Sequence, residues 1–553
     1  MKNKILYKSL ILSLAIVICV GTSCTEDFEE MNTHPFQPTE TSSNFLFNGM
    51  MSYVKWPGNF WLYGMNQRIY QWAQLAASSG GGQGADADDN PNTYNTLGSE
   101  AMWNNFFNMA RTYRALEEKL LDDFDQERVV NRIALMKIVW AYQALQTTDM
   151  YGDIPYFETG LGAIEELYRP KYDTQEEIYK DALSQLKWAS DNIVEDYNSN
   201  VTSQGNKYLD YGSNDIMYRN DMGKWKRFAN TIRLRYALRM SNVDATLAKE
   251  HGSDALAQGI MEDSGDEFIF SPAIGVSAGS YWSFQYYAEI RLGENAWKYM
   301  NADDDPAVDG SDIIDPRVAI WYETNEDDEW VAMPQSWGNT DRPDPASGHP
   351  YDDQRRNDND DTGNNYKGNF SGFNWYMVED GPNSYEFHVT FAEACFLTAE
   401  GILKGWGGSG SAQSWYEAGI KSSVDRWYTY GRSHEDWATP PDMPTEAELD
   451  AFVAHPRIAY QGDGSDGLLQ VHIQRWLDYH YNAAQAWYLV RRVGNFPLLP
   501  VKHRVTGADV PMARRFPYPQ NEVNQNADNY FDQVNGRMNG EDLVTTNIWW
   551  EGN

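Results

Sequence analysis

Phe391-Ala-Glu-Ala-Cys-Phe-Leu-Thr-Ala-Glu-Gly-Ile-Leu403 places apolar residues three and four positions apart, the spacing of one face of an α-helix. Gly405, Gly407, Gly408 and Gly410 break the pattern, and Ala412–Trp427 resumes it. Two amphipathic helices joined by a short glycine-rich link read as an αα-hairpin. Cys395, inside the apolar run Ala392–Leu397, reads as a small core residue rather than a nucleophile.

The same periodicity recurs outward from this hairpin. Upstream, Ala101–Leu121 and Val129–Leu145 flank an Asp-rich turn at Asp122, Asp123 and Asp125. Glu176–Val194 and Lys224–Met240 follow, separated by the polar stretch Tyr197–Asn220, and downstream Leu468–Val490 reads as one further helix. Ile178, Ala182, Leu186 and Ala189 alternate large and small along one helix face, in the manner of tetratricopeptide repeats, although no strict 34-residue period is present. The expected fold is mainly α: a degenerate, tetratricopeptide-like helical-repeat scaffold. Trp103, Trp140, Trp188, Trp225 and Trp487 fall in these patterns and are expected in the core or between paired helices.

Residues 265–385 differ in character. They are rich in Gly, Asn, Asp, Pro and Trp, and residues 301–365 hold 18 Asp or Glu against four Arg. A long irregular excursion inside a compact domain is usually functional. Short strands are expected at Glu267–Phe270, Glu329–Met333 and Trp375–Val378. The expected organisation is a helical part over 42–264, a loop-rich ligand-face insertion over 265–385, and a helical part over 386–553 that completes the same domain.

Composition excludes several classes. With 80 Asp plus Glu against 44 Lys plus Arg, the formal net charge of the 553-residue chain is −36. Such a surface repels phosphate, so no nucleic-acid partner is expected. Mean hydropathy is −0.64, and no apolar run after residue 20 is long enough to span a bilayer. The 21 Trp, 35 Tyr and 22 Phe make aromatic content the unusual number.

The first residues carry an address. Lys2, Lys4 and Lys8 form a positive region, Ile5–Val20 is mostly apolar, and Gly21, Thr22 and Ser23 lead to Cys24. Residues 1–23 read as a cleavable signal peptide. Cys24 after small residues resembles a bacterial lipobox, which makes it the lipidated mature N-terminus; the alternative is an ordinary secretory signal with an incidental Cys. Residues 24–41, opening Cys24-Thr-Glu-Asp-Phe-Glu-Glu30, read as an extended, solvated, lipidated tether. With Cys19 removed and Cys24 lipidated, only Cys395 remains, and no internal disulfide can form.

Six segments together resemble the SusD/RagB family of nutrient-binding outer-membrane lipoproteins, in its SusD-like branch. They are the start Cys24–Pro35, Thr148-Asp-Met-Tyr-Gly-Asp-Ile-Pro-Tyr-Phe157, Asp315-Pro-Arg317, Tyr366-Lys-Gly368 with Gly372, Thr390-Phe-Ala-Glu-Ala-Cys-Phe-Leu-Thr-Ala-Glu400, and Arg515-Phe-Pro-Tyr-Pro519 with Glu522 and Asn526. They stand in the family's order and cover almost the whole chain. The resemblance implies four tetratricopeptide-like helix pairs, a loop-rich second half that builds most of the ligand face, and no catalysis. It further implies an outer-membrane location facing the cell exterior, oligosaccharide or another nutrient as ligand, and a SusC-like TonB-dependent transporter as partner.

Sugar rings present apolar C–H faces and a rim of hydroxyls, so a glycan site needs flat aromatics with amides, carboxylates or Arg. Two regions supply that mixture in expected loops. One holds Tyr94 and Asn95 after the Gly80–Gly84 run; the other holds Trp282, Tyr286 and Arg291 and resumes at Trp321, Trp337 and Trp375. These eight are the candidate ligand-binding residues, with Cys24 the lipidation site. Asp149, Tyr151, Asp153 and Pro155 are expected to end a helix and build a tight turn. No metal site or cofactor is assigned, with calcium left open as the alternative: Asp358-x-Asp360-x-Thr362-Gly363 begins like a calcium loop, but Asn369 stands where a bidentate Glu is needed, and Asp303, Asp304 and Asp305 form an equally loose cluster. No zinc motif occurs. The rival reading is a secreted helical-repeat glycoside hydrolase, since 80 acidic residues guarantee chance carboxylate pairs.

Overall fold

The computed structural model describes residues 42–78, 96–199, 201–202, 205–271, 290–301, 313–325, 327–335, 370–378, 385–435, 437–501 and 508–552. Eleven α-helices of ten or more residues lie within them. They are α1 (Ser43–Val54), α2 (Thr96–Asp122), α3 (Val130–Tyr151), α4 (Gln175–Asn192), α5 (Met222–Met240), α6 (Ala245–Gln258), α7 (Phe391–Leu403), α8 (Ala412–Arg432), α9 (Ser465–Asp478), α10 (Ala483–Arg492) and α11 (Ala527–Arg537). The first eight pack as four consecutive pairs, α1/α2, α3/α4, α5/α6 and α7/α8, the expected scaffold. Pairing is antiparallel where cross-links fix it. Asn131 at the start of α3 bonds the Val194 carbonyl beyond α4, while Asp149 at the end of α3 meets Tyr179 near the start of α4.

The α7/α8 hairpin shows why the sequence folds this way. Gly405, Gly407, Gly408 and Gly410 all have φ between 67° and 107°, left-handed values that a side chain disfavours. Ser411 then caps α8 with Ser414 in a reciprocal capping box. The helices approach closely because Gly419 carries no side chain: a Cβ there would lie 2.6 Å from the Phe396 ring.

Among the described residues, three two-stranded ribbons accompany the helices: β1 (Ala76–Ser78) with β5 (Ile290–Leu292), β2 (Val201–Thr202) with β3 (Gly205–Asn206), and β4 (Phe268–Phe270) with β6 (Glu386–Val389), all antiparallel. One hydrophobic core runs from Phe47 in α1 to Trp550 near the C-terminus. A smaller cluster around Phe396, Tyr416, Ile420 and Val471 lies among α7, α8 and α9. Aromatic rings fill the main core in stacks. Trp140 lies near-parallel to Phe106, Tyr113 and Tyr156 at centroid distances of 5.1, 4.6 and 5.4 Å.

Several expectations are corrected. The expected helix Leu468–Val490 is two helices, because Asn482 leaves helical geometry and caps α10 while its amide donates to the Phe387 carbonyl at 3.0 Å. Trp375–Val378 is a helical turn, not a strand, and of Glu329–Met333 only Met333 forms a β-bridge, to Gly293. Trp188 is 37% exposed rather than buried, with Lys137 over its ring. Helices α1 and α6, and a π-helical segment Phe60–Ile69 running into Tyr70–Trp72, have no counterpart in the sequence reading.

The motif segments turn out to support one another. Asp149 is buried between Arg239, Tyr179 and the Trp550 indole, whose Nε1 donates to it at 2.8 Å. Gly152 (φ 80°) closes α3, and Asp153 accepts from the Gln175 amide at 2.8 Å and pairs with Arg537 at 3.1 Å. From the other end of the chain, Arg515 donates to the Tyr151 carbonyl at 2.9 Å and Tyr518 to that of Asp153 at 2.8 Å. The two motifs, some 360 residues apart, build one corner.

Candidate functional site

Between the helix pairs lies a small platform of backbone pairings. Ser78 of β1 pairs with Ile290 of β5, and Ala77 with Arg291. On the far side of β5, Arg291 bridges to Gly372 and Gly293 to Met333, while Tyr322 bridges to Phe373. Hydrogen bonds knit the edges: Leu292 N to Ser371 O at 2.9 Å, Met333 N to Leu292 O at 2.8 Å, and Ser371 N to Val331 O at 2.8 Å. Five segments distant in sequence are thus held together by main-chain bonds, which fix position whatever the side chains are.

This platform is the root of the candidate ligand-binding segments. The chain returns to it at Ile290 after Trp282 and Tyr286, leaves at Gln335 toward Trp337, and returns at Phe370, whereas Tyr94 and Asn95 directly precede α2. Tyr94, Asn95, Trp282, Tyr286 and Trp337 lie outside the described residues, as do Cys24, Asp303–Asp305 and Asp358–Asn369. Trp375 lies on the helical turn beside the platform, next to Tyr376, whose ring stacks on Trp437 at 5.0 Å.

Two candidates are corrected. Trp321 is fully buried: its ring stacks on His480 at 4.4 Å, meets Trp427 edge-on at 5.6 Å, and lies under the Arg317 guanidinium at 5.1 Å. A ring enclosed on these sides presents no face to a sugar. Arg291 is buried within the β1–β5 ribbon and turns a guanidinium nitrogen to the Ile290 carbonyl at 3.1 Å. Both side chains lie in the packed interior. The Asp315-Pro-Arg317 motif is packed inside as well, with Arg317 bound twice to Asp315 (2.9 and 2.6 Å) and to Gln474 of α9 at 2.7 Å.

Beneath the platform, His480 is sandwiched between Trp321 and Phe373, the latter stacked at 4.9 Å. Burial and then Arg317 hold its imidazole well below the usual 6.5. The unfolded chain therefore binds a proton below about pH 6.5 that the native ring refuses, and stability falls as pH drops through that window. Relative to a His480→Phe variant, wild type should lose up to about 1.4 kcal/mol per pH unit below pH 6.5. Urea midpoints at pH 7 and pH 5 measure this; parallel profiles would contradict it.

Against the flank of β1 lies a cavity of about 220 Å³ that the sequence reading missed. Gln67, Arg68, Gln71 and Gln74, from the π-helical segment and the residues after it, form much of its polar lining, with Asp509 and, at the platform edge, Gln335. Their signal in the sequence is a run of polar residues inside an apolar helical pattern. Among the described residues, no group of three or more His, Cys, Asp or Glu is arranged to hold a metal ion, and no helix is long and apolar enough to cross a membrane.

The fold is shared with solved structures. A chitin-binding protein superposes with a TM-score of 0.70 at 21% identity, over 93% of this chain and all of that one. A chitin-binding SusD homologue from Flavobacterium johnsoniae gives 0.67 at 23%, over 92% and 98%, and a SusD homologue from Bacteroides fragilis gives 0.68 at 18%, over 93% and 100%. No curated protein matches the sequence. The model of a SusD-like family, described as starch-binding and associating with the outer membrane, matches residues 36–519, most of the chain and all four helix pairs, and the chain belongs to that family.

Proposed function

We propose that this protein is a surface lipoprotein of the outer membrane, anchored through Cys24, that captures an oligosaccharide or polysaccharide and delivers it to a SusC-like TonB-dependent transporter without cleaving it. The observation that supports the reading is the platform: the segments bearing Trp282, Tyr286 and Trp337 rejoin or leave the described chain at its edges, and Trp375 stands on the turn beside it. Tyr94, Asn95, Trp282, Tyr286, Trp337 and Trp375 are then the candidate contacts, aromatics for C–H faces and amides for hydroxyls. The family description and the chitin-binding relatives support a glycan as ligand class. An open site in competition with water supports affinity on the order of micromolar or weaker, which suits a protein that must release its cargo.

The test titrates the mature protein, lacking Cys24, with starch and chitin oligosaccharides and analyses the mixture for released sugar. Saturable binding with intact glycan is expected. Trp282→Ala and Trp375→Ala should each weaken it by about 1 kcal/mol, several-fold, with an unchanged melting temperature. Released product would instead favour the hydrolase, and unfolding of either variant would return that residue to the core. Co-purification with a TonB-dependent barrel, and slower glycan uptake on deletion at limiting substrate, test delivery.

A further inference from the structure

A second cavity, of about 280 Å³, opens at the corner where the Thr148–Phe157 and Arg515–Pro519 motifs meet. Among the described residues its walls are the turn after α3, the start of α4, the stretch 515–518, the end of α11 and the stretch 546–549. Each of these is continuous with described chain on both sides. Two carboxylates, Asp153 and Glu176, and two guanidinium groups, Arg515 and Arg537, stand in this lining. Their charges balance, although the chain as a whole carries −36. A lining of that kind suits a neutral, hydroxyl-bearing ligand better than an ion.

Trp549 gives the cavity an aromatic wall, and the residues after it hold it there. Trp550 is buried with its indole nitrogen on Asp149 at 2.8 Å, and the buried Glu551 carboxylate faces Arg491 and Arg514, each at 3.4 Å. Trp549 itself stays half-buried, meeting Tyr179 edge-on at 5.5 Å. Its indole N–H is not sealed in the interior and donates to no described residue.

The polar groups around it divide into scaffold and spare. Asp153 is scaffold: one oxygen accepts from the Gln175 amide at 2.8 Å, the other from Gln533 at 3.0 Å and Arg537 at 3.1 Å. With one of the two carboxylates committed in this way, no pair is left for glycoside hydrolysis. Arg537 is exposed and spends only Nη1 on Asp153 and Gln533, which leaves Nε and Nη2 as donors. Asn547 is exposed at the rim, and its carboxamide bonds no described residue. An aromatic ring with an open N–H, a carboxamide, a guanidinium and the Glu176 carboxylate are the groups that sugar faces and hydroxyls need.

We propose that this cavity is a second sugar-binding site, independent of the ligand loops, in which Trp549 stacks on a C–H face while Asn547, Arg537 and Glu176 bond hydroxyls. The proposal rests on the glycan reading for its ligand class. Its C-terminal residues lie outside both regions that composition singles out, because Trp549 and Trp550 look alike in sequence and only packing sends one inward and leaves the other at the surface.

The experiment uses the mature protein without Cys24 and carrying Asn547→Cys, with a short oligosaccharide of the glycan that calorimetry shows to bind. Cys395 is buried and burial pushes its thiol pKa up, so the introduced thiol is the reactive one. Saturating oligosaccharide should slow its labelling by a thiol reagent several-fold, and equally so in a Trp282→Ala background. Trp549→Ala should raise the concentration needed for half-protection about fivefold, and Trp549→Phe, which keeps a ring and the packing on Tyr179, by less. Labelling that ignores a bound oligosaccharide, or protection untouched by both Trp549 variants, would overturn the proposal while leaving glycan capture standing. Protection that disappears with Trp282→Ala would overturn the independence of the site. Absence of binding to any glycan would sink the underlying reading and this one with it.

Discussion

Replacing Glu400 by Ala is expected to cost about 3–5 kcal/mol of folding stability. The carboxylate is fully buried in α7 and accepts from both guanidinium nitrogens of Arg492 in α10, at 2.7 and 2.8 Å, and from Arg475 in α9 at 2.9 Å. Arg492 reaches on to the Leu238 carbonyl of α5 at 3.2 Å, so one carboxylate ties four helices together. Burial raises its pKa, but Arg492, His472 and Arg475 outweigh that and hold it well below the usual 4.5. His472, 3.3 Å away, is pushed down to about 4 by burial and stays neutral at pH 7. Removing Glu400 thus leaves two guanidinium groups buried without a counter-charge. Urea unfolding of wild type and Glu400→Ala measures the loss, and a difference under 1 kcal/mol would contradict the assignment. Changing Arg492 to Met in the Glu400→Met background should recover part of it, because a buried ion pair exchanged whole for apolar residues is far less harmful than one broken in half.

Trp321→Ala is the second large effect, about 3–5 kcal/mol, because it empties a fully buried site that the surrounding rings cannot collapse to fill. His480 loses its stacking partner, and Arg317, fixed by Asp315 and Gln474, cannot move into the space. The unfolding midpoint should drop while glycan affinity, measured where the variant is still folded, stays unchanged. Weakened binding with an unchanged midpoint would restore Trp321 to the ligand face.

These two residues mark how far the sequence could be read. Glu400 was visible only as part of a motif, and nothing in its spacing said that its partners stand 75 and 92 residues downstream. Trp321 shares its composition context with Trp282 and Trp337, in an aromatic-rich, aperiodic stretch. Trp, Tyr and Phe serve equally well as core filling and as sugar platforms, and aperiodic sequence carries no signal of which side of the chain faces inward. Nine of the Trp residues are among the largest fully buried side chains, so much of the unusual aromatic content serves packing.

What the sequence determined by itself was whatever depends on neighbours three or four residues apart: the paired helices, the glycine hairpin at 405–410, the inert core position of Cys395, and the order of motifs that identifies the family. Tertiary structure alone decided the rest. It broke the helix at Asn482 through a bond to β6, buried Arg291 in a ribbon with β1, and joined the two motif segments some 360 residues apart. It also brought the roots of the ligand segments together and opened a cavity beside them. Periodicity records only which face of a local element is apolar, whereas these features arise from long-range pairing of groups whose partners lie tens to hundreds of residues away.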